Sequence, residues 1–259
     1  MADASTFLLD PAPIVEAIVD IQCELSPSLN HGAFQSAAQK VFADQYPEFR
    51  TAFVHEQNFS FKPGKQPQTA VRQSVRGYQS LSRDKKQIVQ SRFDGFSFNR
   101  LAPYTSLDHY LPEIARCWRV YCGFAEPVVV RRIALRYINR VVLPLDSNGR
   151  VIVDNFIRTG PVLPEPNDMG LTLTSFTHHH QMAQTETGNM ANVVLAAQPP
   201  GPKELPVILD IDAFRPVNLP PLDWEKFMPI ITSLRTLKNR LFRYNLKDAC
   251  LSFSQPPSP

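Results

Sequence analysis

Three arginines recur at every fourth position of one central segment, namely Arg132, Arg136 and Arg140. Their neighbours are rich in β-branched residues, a composition that favours a strand. In a strand the three side chains point to the same face, because successive side chains alternate between the two faces. Consecutive members of the set are then about 13 Å apart. This spacing excludes a compact clamp on one phosphate, whereas a polyphosphate or an acidic protein surface could contact the row.

Acidic residues with matching spacing offer these arginines a structural partner. Glu16, Asp20 and Glu24 are also four apart, and Asp210 and Asp212 lie in a later apolar segment. Opposite charges on adjacent strands attract, and each such pair contributes about 0.2–1 kcal/mol. The pattern therefore favours a ladder of ion pairs across a sheet. A protein-binding surface and a phosphate site are the alternatives.

Two pairs of side chains are candidate metal ligands. Asp210 and Asp212 are two residues apart, so both carboxylates share a strand face and could hold Mg²⁺ or Mn²⁺ together with a substrate phosphate. With the arginines, they would form a metal-dependent phosphohydrolase or a nucleotide-binding enzyme. His178 and His180 also share a strand face, at a spacing that occurs in Zn²⁺ sites. A zinc site requires a third ligand, and solvated imidazoles are the alternative.

Composition narrows the classes of function. The chain has 24 prolines but only 10 glycines. Loops that cradle phosphate groups require glycine, so the low glycine content argues against many such loops. It contains no G-x-S-x-G, Walker A, G-x-G-x-x-G or H-E-x-x-H motif. A net charge of +3 and a pI near 8.7 are too mild to favour nucleic acid. We therefore lean towards a protein that is not an enzyme, and predict no cofactor apart from the candidate divalent metal.

Targeting and redox signals point to the cytoplasm. The amino terminus lacks the basic region and apolar core of a signal peptide, and no apolar run reaches the ~20 residues of a membrane span. The cysteines form no C-x-x-C pair, so we predict buried free thiols. They are Cys23, Cys117, Cys122 and Cys250. We expect a soluble cytoplasmic protein without membrane contact.

Hydrophobic patterns predict an α+β protein: an antiparallel sheet with helices packed on one face. Alternating or continuous apolar runs indicate strands, and the short turns between them favour antiparallel pairing. The expected strands are 13–25, 51–62, 70–80, 86–93, 95–101, 127–145, 171–185, 190–198 and 206–214.

Amphipathic segments between these strands predict helices. Asn30 is placed to cap the first, Ser106 or Asp108 begins the second, Gly123 is placed to end it, and Asp223 begins the third. A short terminal helix is expected within 245–253. The expected buried stripes are Phe34, Ala38, Val41 and Phe42 in the first helix, and Phe227, Ile230, Ile231, Leu234, Leu237 and Leu241 in the third.

Two segments, "FSFNRLAPYTSLDHYLPEI" and "LDIDAFRPVNLPPLDWEKFMPII", share an internal pattern. Each segment contains, in this order, a predicted strand, an arginine, a loop with proline, the dipeptide Leu-Asp and a predicted helix. The match predicts two pseudo-repeated halves, residues 1–126 and 127–259, that form one compact unit. It also places Arg100 and Arg215 at equivalent positions, and adds both to the candidate binding residues.

Four segments occur in the order "APIVEAIVDIQ", "FDGFSFNRLAPY", "IALRYINRVVLPL" and "LFRYNLKDACLSF". Together they resemble a sporadically distributed bacterial family of uncharacterised proteins of about this length. The resemblance implies no activity, cofactor or catalytic residue. A patchy distribution is typical of genes on mobile islands, and so suggests a defence or toxin–antitoxin role.

These observations favour a non-catalytic binding or regulatory protein that acts through a sheet face or edge, in an immunity or antitoxin-like role. Its expected partner is a protein, nucleic acid is not favoured, and a homo-oligomer is compatible with the sequence. The metal-dependent phosphohydrolase or nucleotide-binding enzyme is the alternative.

Overall fold

The computed structural model describes residues 12–60, 68–160 and 174–252. Within them the chain forms an α+β fold, as the hydrophobic pattern predicts. One open, antiparallel sheet has the strand order β2-β3-β4-β5-β1-β6-β9-β8-β7. Its strands are β1 (Ile14–Leu25), β2 (Glu48–Ser60), β3 (Gln68–Leu81), β4 (Gln87–Arg92), β5 (Gly95–Leu101), β6 (Pro127–Pro144), β7 (Thr177–Gln184), β8 (Asn189–Ala197) and β9 (Glu204–Leu219). The helices are α1 (His31–Phe42), α2 (Leu107–Ala125), α3 (Trp224–Asn245) and α4 (Asp248–Ser252).

The two faces of the sheet differ because apolar and polar residues alternate along its strands. In β1, Val19 and Ile21 are buried against the helices, and Leu135 of β6 joins them in the same core. We call this the helix-covered face. Asp20 and Arg132 point to the opposite face, which we call the open face. The long central strands thus carry the core on one side and the charged residues on the other.

The helices begin where their capping residues predict, but two details differ. Asn30 Oδ1 accepts a hydrogen bond from Ala33 N at 3.0 Å, and Ser106 Oγ accepts one from His109 N at 3.3 Å. Gly123 does not end α2, because the helix continues until Glu126 adopts a left-handed conformation. Val41 is 43% exposed and is not part of the buried stripe of α1, since Phe34, Ala38 and Phe42 already form the face that packs on the core.

The sheet is continuous across the expected boundary between residues 126 and 127. β1 and β6 are neighbours, with Val19 opposite Leu135 and Ile21 opposite Ile133. β5 pairs with β1 and precedes α2, while β9 pairs with β6 and precedes α3. The repeat of two halves stays a prediction.

Several sequence expectations fall outside the described residues: those for residues 1–11, 61–67, 161–173 and 253–259. Within the described ranges, the four cysteines are free and buried, as predicted. Burial raises the pKa of the Cys23 and Cys250 thiols to about 11, so both thiols stay protonated at neutral pH. No described helix combines the length and apolar character needed to cross a bilayer.

Candidate functional site

Arg132, the first arginine of the central row, lies between two carboxylates on the open face. Its Nη1 is 3.2 Å from Asp20 Oδ1, and its Nη2 is 2.6 Å from Asp212 Oδ2. The guanidinium also lies over the ring of Phe214, 4.3 Å from the centroid. Burial raises the pKa of the Asp212 carboxyl, although Arg132 opposes the shift. The ion pair therefore offsets only part of the cost of burying the carboxylate.

A second arginine, Arg92 of β4, completes this cluster. Its Nη1 donates to Asp20 Oδ2 at 2.6 Å and its Nε to Asp94 Oδ1 at 2.9 Å. The Arg92 side chain is only 6% exposed. Burial acts to lower the pKa of Arg92, but attraction to Asp20 and Asp94 outweighs it and raises the pKa. Asp20 therefore bridges two arginines that approach from opposite sides, on β4 and β6.

The remaining arginines of the row are also paired. Arg136 donates to Asp210 through Nε at 3.0 Å and Nη2 at 2.6 Å, and this bonding raises the pKa of Arg136. Arg140 Nη2 is 3.3 Å from Glu204 Oε1, with both side chains 45% exposed. The expected ladder is confirmed for Arg132 and Arg136.

Two of the expected acidic partners bond elsewhere. Glu24 pairs with Arg131 instead of the arginine row, at 2.7 Å. Glu16 accepts a hydrogen bond from Asn99 Nδ2 at 2.6 Å. The matched four-residue spacing therefore predicts a ladder of ion pairs correctly. Of the three expected acids on β1, however, only Asp20 pairs with the arginine row.

The two candidate metal pairs lie on opposite faces of the sheet. Asp210 and Asp212 are on the open face, where both bond to arginines. His178 and His180 are paired with Leu195 and Val193 on the helix-covered side of β8, and their rings are 5.9 Å apart. In residues 12–60, 68–160 and 174–252, no three His, Cys, Asp or Glu side chains are grouped to hold a metal.

The candidate arginines are likewise divided between faces. Arg100 lies on the helix-covered side, with its guanidinium 5.3 Å from the centroid of the Tyr110 ring and Nη2 3.2 Å from Pro103 O. Arg215 bonds to Asn189 Oδ1 at 2.8 Å and to Ser233 Oγ at 3.1 Å. The structure therefore does not bring Arg100 and Arg215 together with the central row.

A nucleoside triphosphate with Mg²⁺ is expected to leave the Tm unchanged. A metal ion at Asp210 and Asp212 would have to displace the arginines that already neutralise both carboxylates, whereas a ligand that binds the native state raises the Tm. Thermal-shift assays with and without Mg²⁺ measure this. A Mg²⁺-dependent increase that disappears in Asp210→Asn would instead support the phosphohydrolase or nucleotide-binding hypothesis.

One end of the sheet extends as a two-stranded ribbon. β4 pairs only with Gly77–Leu81 of β3, but the pairing of β2 with β3 continues from Phe53 opposite Val75 to Ser60 opposite Gln68. We call residues 53–60 and 68–76 the basic ribbon. Near its base, Phe53 is 51% exposed and its cross-strand neighbour Val75 is 38% exposed.

The ribbon segment concentrates positive charge. Residues 53–76 contain Lys62, Lys65, Arg72 and Arg76 but only one acid, Glu56, so four minus one gives a net charge of +3 with histidine neutral. The whole chain also has a net charge of +3, and the rest of it is therefore balanced. The side chains of Arg72 and Arg76 are exposed, and Arg72 lies opposite Glu56 in the pairing of β3 with β2.

β2 is also an edge strand of the sheet. Within the described residues, β2 pairs with β3 alone, and β3 before Arg76 pairs with β2 alone. Outward-facing N–H and C=O groups on such an edge are free to pair with another strand. The opposite edge is β7, which is shorter and polar. The open backbone edge and the exposed apolar pair thus coincide on the ribbon, which also carries the exposed Arg72 and Arg76.

Comparisons of the chain with protein-family models, with curated proteins and with solved structures find no match. The resemblance to a sporadic bacterial family therefore stays an expectation from the sequence.

The sequence gives weaker signals for two features that the structure reveals. Arg92 is followed two residues later by Asp94, the second carboxylate with which it pairs. The ribbon is suggested by the expected strands, since 70–80 is longer than 86–93, and the structure makes the difference larger, with fourteen residues in β3 and six in β4.

Proposed function

We propose that this chain is a non-catalytic binding protein that recruits a protein partner by strand addition to the outer edge of β2. The basic ribbon would select acidic side chains on the added strand. The observation that carries this proposal is the extension of β2 and β3 beyond β4, which leaves a backbone edge without a described partner. Strand addition to an exposed edge is a recurrent mode of peptide recognition, in which main-chain hydrogen bonds supply affinity and side chains supply specificity.

The open face is a weaker candidate for the partner surface because its central charges already satisfy each other. Asp20 bonds to Arg92 and Arg132, and Asp210 bonds to Arg136 through two nitrogens. A partner that bound these arginines would leave buried carboxylates unpaired, which is costly. The ladder is better explained as the architecture that holds the central strands in register.

The ribbon also presents the residue types on which binding energy concentrates. Phe53 and Val75 form an exposed cross-strand pair, and Arg72 and Arg76 lie beside them in the sequence. Aromatic and arginine side chains are enriched among residues that dominate interface energies. A partner strand with alternating apolar and acidic residues would match this surface, because alternate side chains share one face.

The biological setting that we propose follows the family resemblance alone. Sporadic distribution suggests that the partner is encoded nearby, as in immunity or antitoxin pairs. The edge mechanism fits such a role, because occupation of a strand edge can sequester a partner without any chemistry.

The experiment is a random-peptide selection on the whole chain. Arg72→Glu/Arg76→Glu serves as the counter-selection variant, and Arg119→Glu/Arg240→Glu is the matched control, since these two exposed arginines lie on α2 and α3. We expect acidic, alternating peptides that bind the wild type and the control equally and lose at least about tenfold in affinity with the ribbon variant, a loss of about 1.4 kcal/mol.

Two outcomes would overturn the proposal. The first is enrichment of peptides that bind the ribbon variant as tightly as the wild type. The second is salt-sensitive binding of RNA or DNA by the ribbon at about 50 mM salt without any peptide binding, because counterion release is the signature of phosphate contacts. That second result would assign the ribbon to nucleic acid.

A further inference from the structure

A cavity of about 250 Å³ lies between the connection from β1 to α1, the first half of α1 and the end of α2. Two aromatic side chains line it, Phe34 of α1 and Phe124 of α2, and their rings meet edge to face with the centroids 5.1 Å apart. The small side chains of Ala33 and Ala37 on α1 leave the space open. Sites for drug-sized ligands have volumes of about 300–1,000 Å³, so this cavity suits a smaller organic molecule with an apolar body.

The polar side chains around the cavity are two hydroxyls, one amide and one carboxylate. Ser26 Oγ and Ser28 Oγ are 2.7 Å apart and bond to each other, and Asn30 Oδ1 accepts a hydrogen bond from Ala33 N at 3.0 Å. Glu126 is the one charged residue among those that line the cavity. It is exposed and has no ion pair within the described part of the chain. The cavity therefore offers a ligand a negative charge that no cation of the protein neutralises.

The end of α2 adds to this negative charge. The C-terminal end of a helix carries about half a negative charge, which basic residues in the last turn often offset. The last turn of α2 has no basic residue, and Glu126 is its C-cap. The N-terminal end of α1, which is positive, also borders the cavity, but the Asn30 side chain already caps it. The potential beside Glu126 is therefore negative, which favours a cation and disfavours carboxylates and phosphates.

Glu126 is in a strained backbone conformation. Its φ of 48° and ψ of 55° are left-handed, a conformation that glycine adopts freely and that crowds the Cβ of any other residue. Its N–H donates to Cys122 O at 3.2 Å, so it occupies the position where helices commonly end in glycine. Stability alone thus favours glycine at this position, and strained residues of this kind concentrate at functional sites.

We propose that the cavity binds a small organic ammonium ion with an apolar body. The ammonium group donates hydrogen bonds to the Glu126 carboxylate, which neutralises its charge, and to the hydroxyl oxygens of Ser26 and Ser28. The apolar body packs against Phe124 and Ala37, which removes both surfaces from water. This site is separate from the basic ribbon and does not depend on the proposed binding function.

The probe is phenethylamine, titrated into the whole chain at pH 7 and followed by the NMR signals of the backbone amides. Phenethyl alcohol has a matching body without the charge, and hydrocinnamate carries the opposite charge. We expect the amine to shift signals within residues 26–37 and 124–126, and to bind at least about fivefold more tightly than the alcohol, a difference of about 1 kcal/mol. Hydrocinnamate is expected to leave these signals unchanged.

Glu126→Gln removes the charge and keeps the shape of the side chain. The matched control is Glu225→Gln, because Glu225 is an exposed glutamate of α3 that does not line the cavity. We expect the affinity for phenethylamine to fall at least about fivefold in Glu126→Gln and to stay unchanged in Glu225→Gln, with phenethyl alcohol binding equally to all three proteins. Glu126→Gly should show the same loss with a Tm no lower than that of the wild type, because glycine relieves the left-handed strain.

Three results would overturn the proposal. They are equal affinity of the wild type for the amine and the alcohol, unchanged affinity for the amine in Glu126→Gln, and no shift of the lining amides up to about 10 mM phenethylamine. Since Glu126→Gly is expected to be at least as stable as the wild type, loss of binding in that variant reports the missing carboxylate and not unfolding.

Discussion

Replacement of Asp20 with alanine is expected to lower the free energy of unfolding by about 3–5 kcal/mol, the cost of breaking a buried ion pair by removing one partner. Asp20 holds both Arg92 and Arg132, at 2.6 and 3.2 Å. Arg92 is almost fully buried and keeps only its Nε bond to the exposed Asp94, at 2.9 Å, so its Nη1 cannot turn to solvent when Asp20 is lost. Arg132 retains Asp212 at 2.6 Å, which leaves Arg92 as the main source of the loss.

Urea denaturation of the wild type and the variant measures this change, and Glu24→Ala is the matched control. Glu24 is on the same strand and also pairs with an arginine, Arg131, but both side chains are exposed. We expect Glu24→Ala to be indistinguishable from the wild type, because exposed pairs contribute little. Equal destabilisation by the two variants would show that the cluster around Asp20 is not a buried network.

Replacement of Gly95 with alanine is expected to cost about 3 kcal/mol or more, from strain at a positive φ together with overpacking. Gly95 has a φ of +147° where β5 approaches β1. A Cβ there would collide with the backbone oxygen of Ile21 and lie 2.9 Å from Gln22 Cα. Both obstacles are backbone atoms of the central strand β1, so neither can move without disturbing the ladder.

Gly149→Ala provides the control for Gly95→Ala. Gly149 has a φ of +71°, and a Cβ there meets nothing within 4 Å. It therefore reports the strain of a positive φ alone, about 1–2 kcal/mol. The difference in unfolding free energy between the two variants measures the crowding between β5 and β1. A Gly95→Ala variant as stable as Gly149→Ala would contradict the close approach.

Local features were predictable from the sequence because they depend on neighbouring residues. β1 was expected at 13–25 and is Ile14–Leu25, and β6 was expected at 127–145 and is Pro127–Pro144. Asn30 and Ser106 cap their helices with the side-chain bonds that these residue types form. Alternation also identified correctly which face of the central strands is charged.

Non-local features were not predictable in the same way. The placement of β6 between β1 and β9 determines which acids meet which arginines, and spacing alone does not encode that order. Arg100 and Arg215 match in their local sequence pattern, and both lie on the helix-covered face, away from the central arginine row. The local pattern does not show which face each arginine occupies, because that depends on the register of its strand in the sheet. The close approach of Gly95 to β1 depends on sheet pairing, which the local sequence does not specify.

Hydrogen exchange on the chain, free and bound to a selected acidic peptide, tests the central claim most directly. Strand addition predicts slower exchange of the outward-facing backbone amides of β2, with little change in β1 and β6, because added main-chain hydrogen bonds protect the edge strand. Protection confined to β1, β6 and β9, with β2 unchanged, would contradict the account and make the charged open face the binding surface.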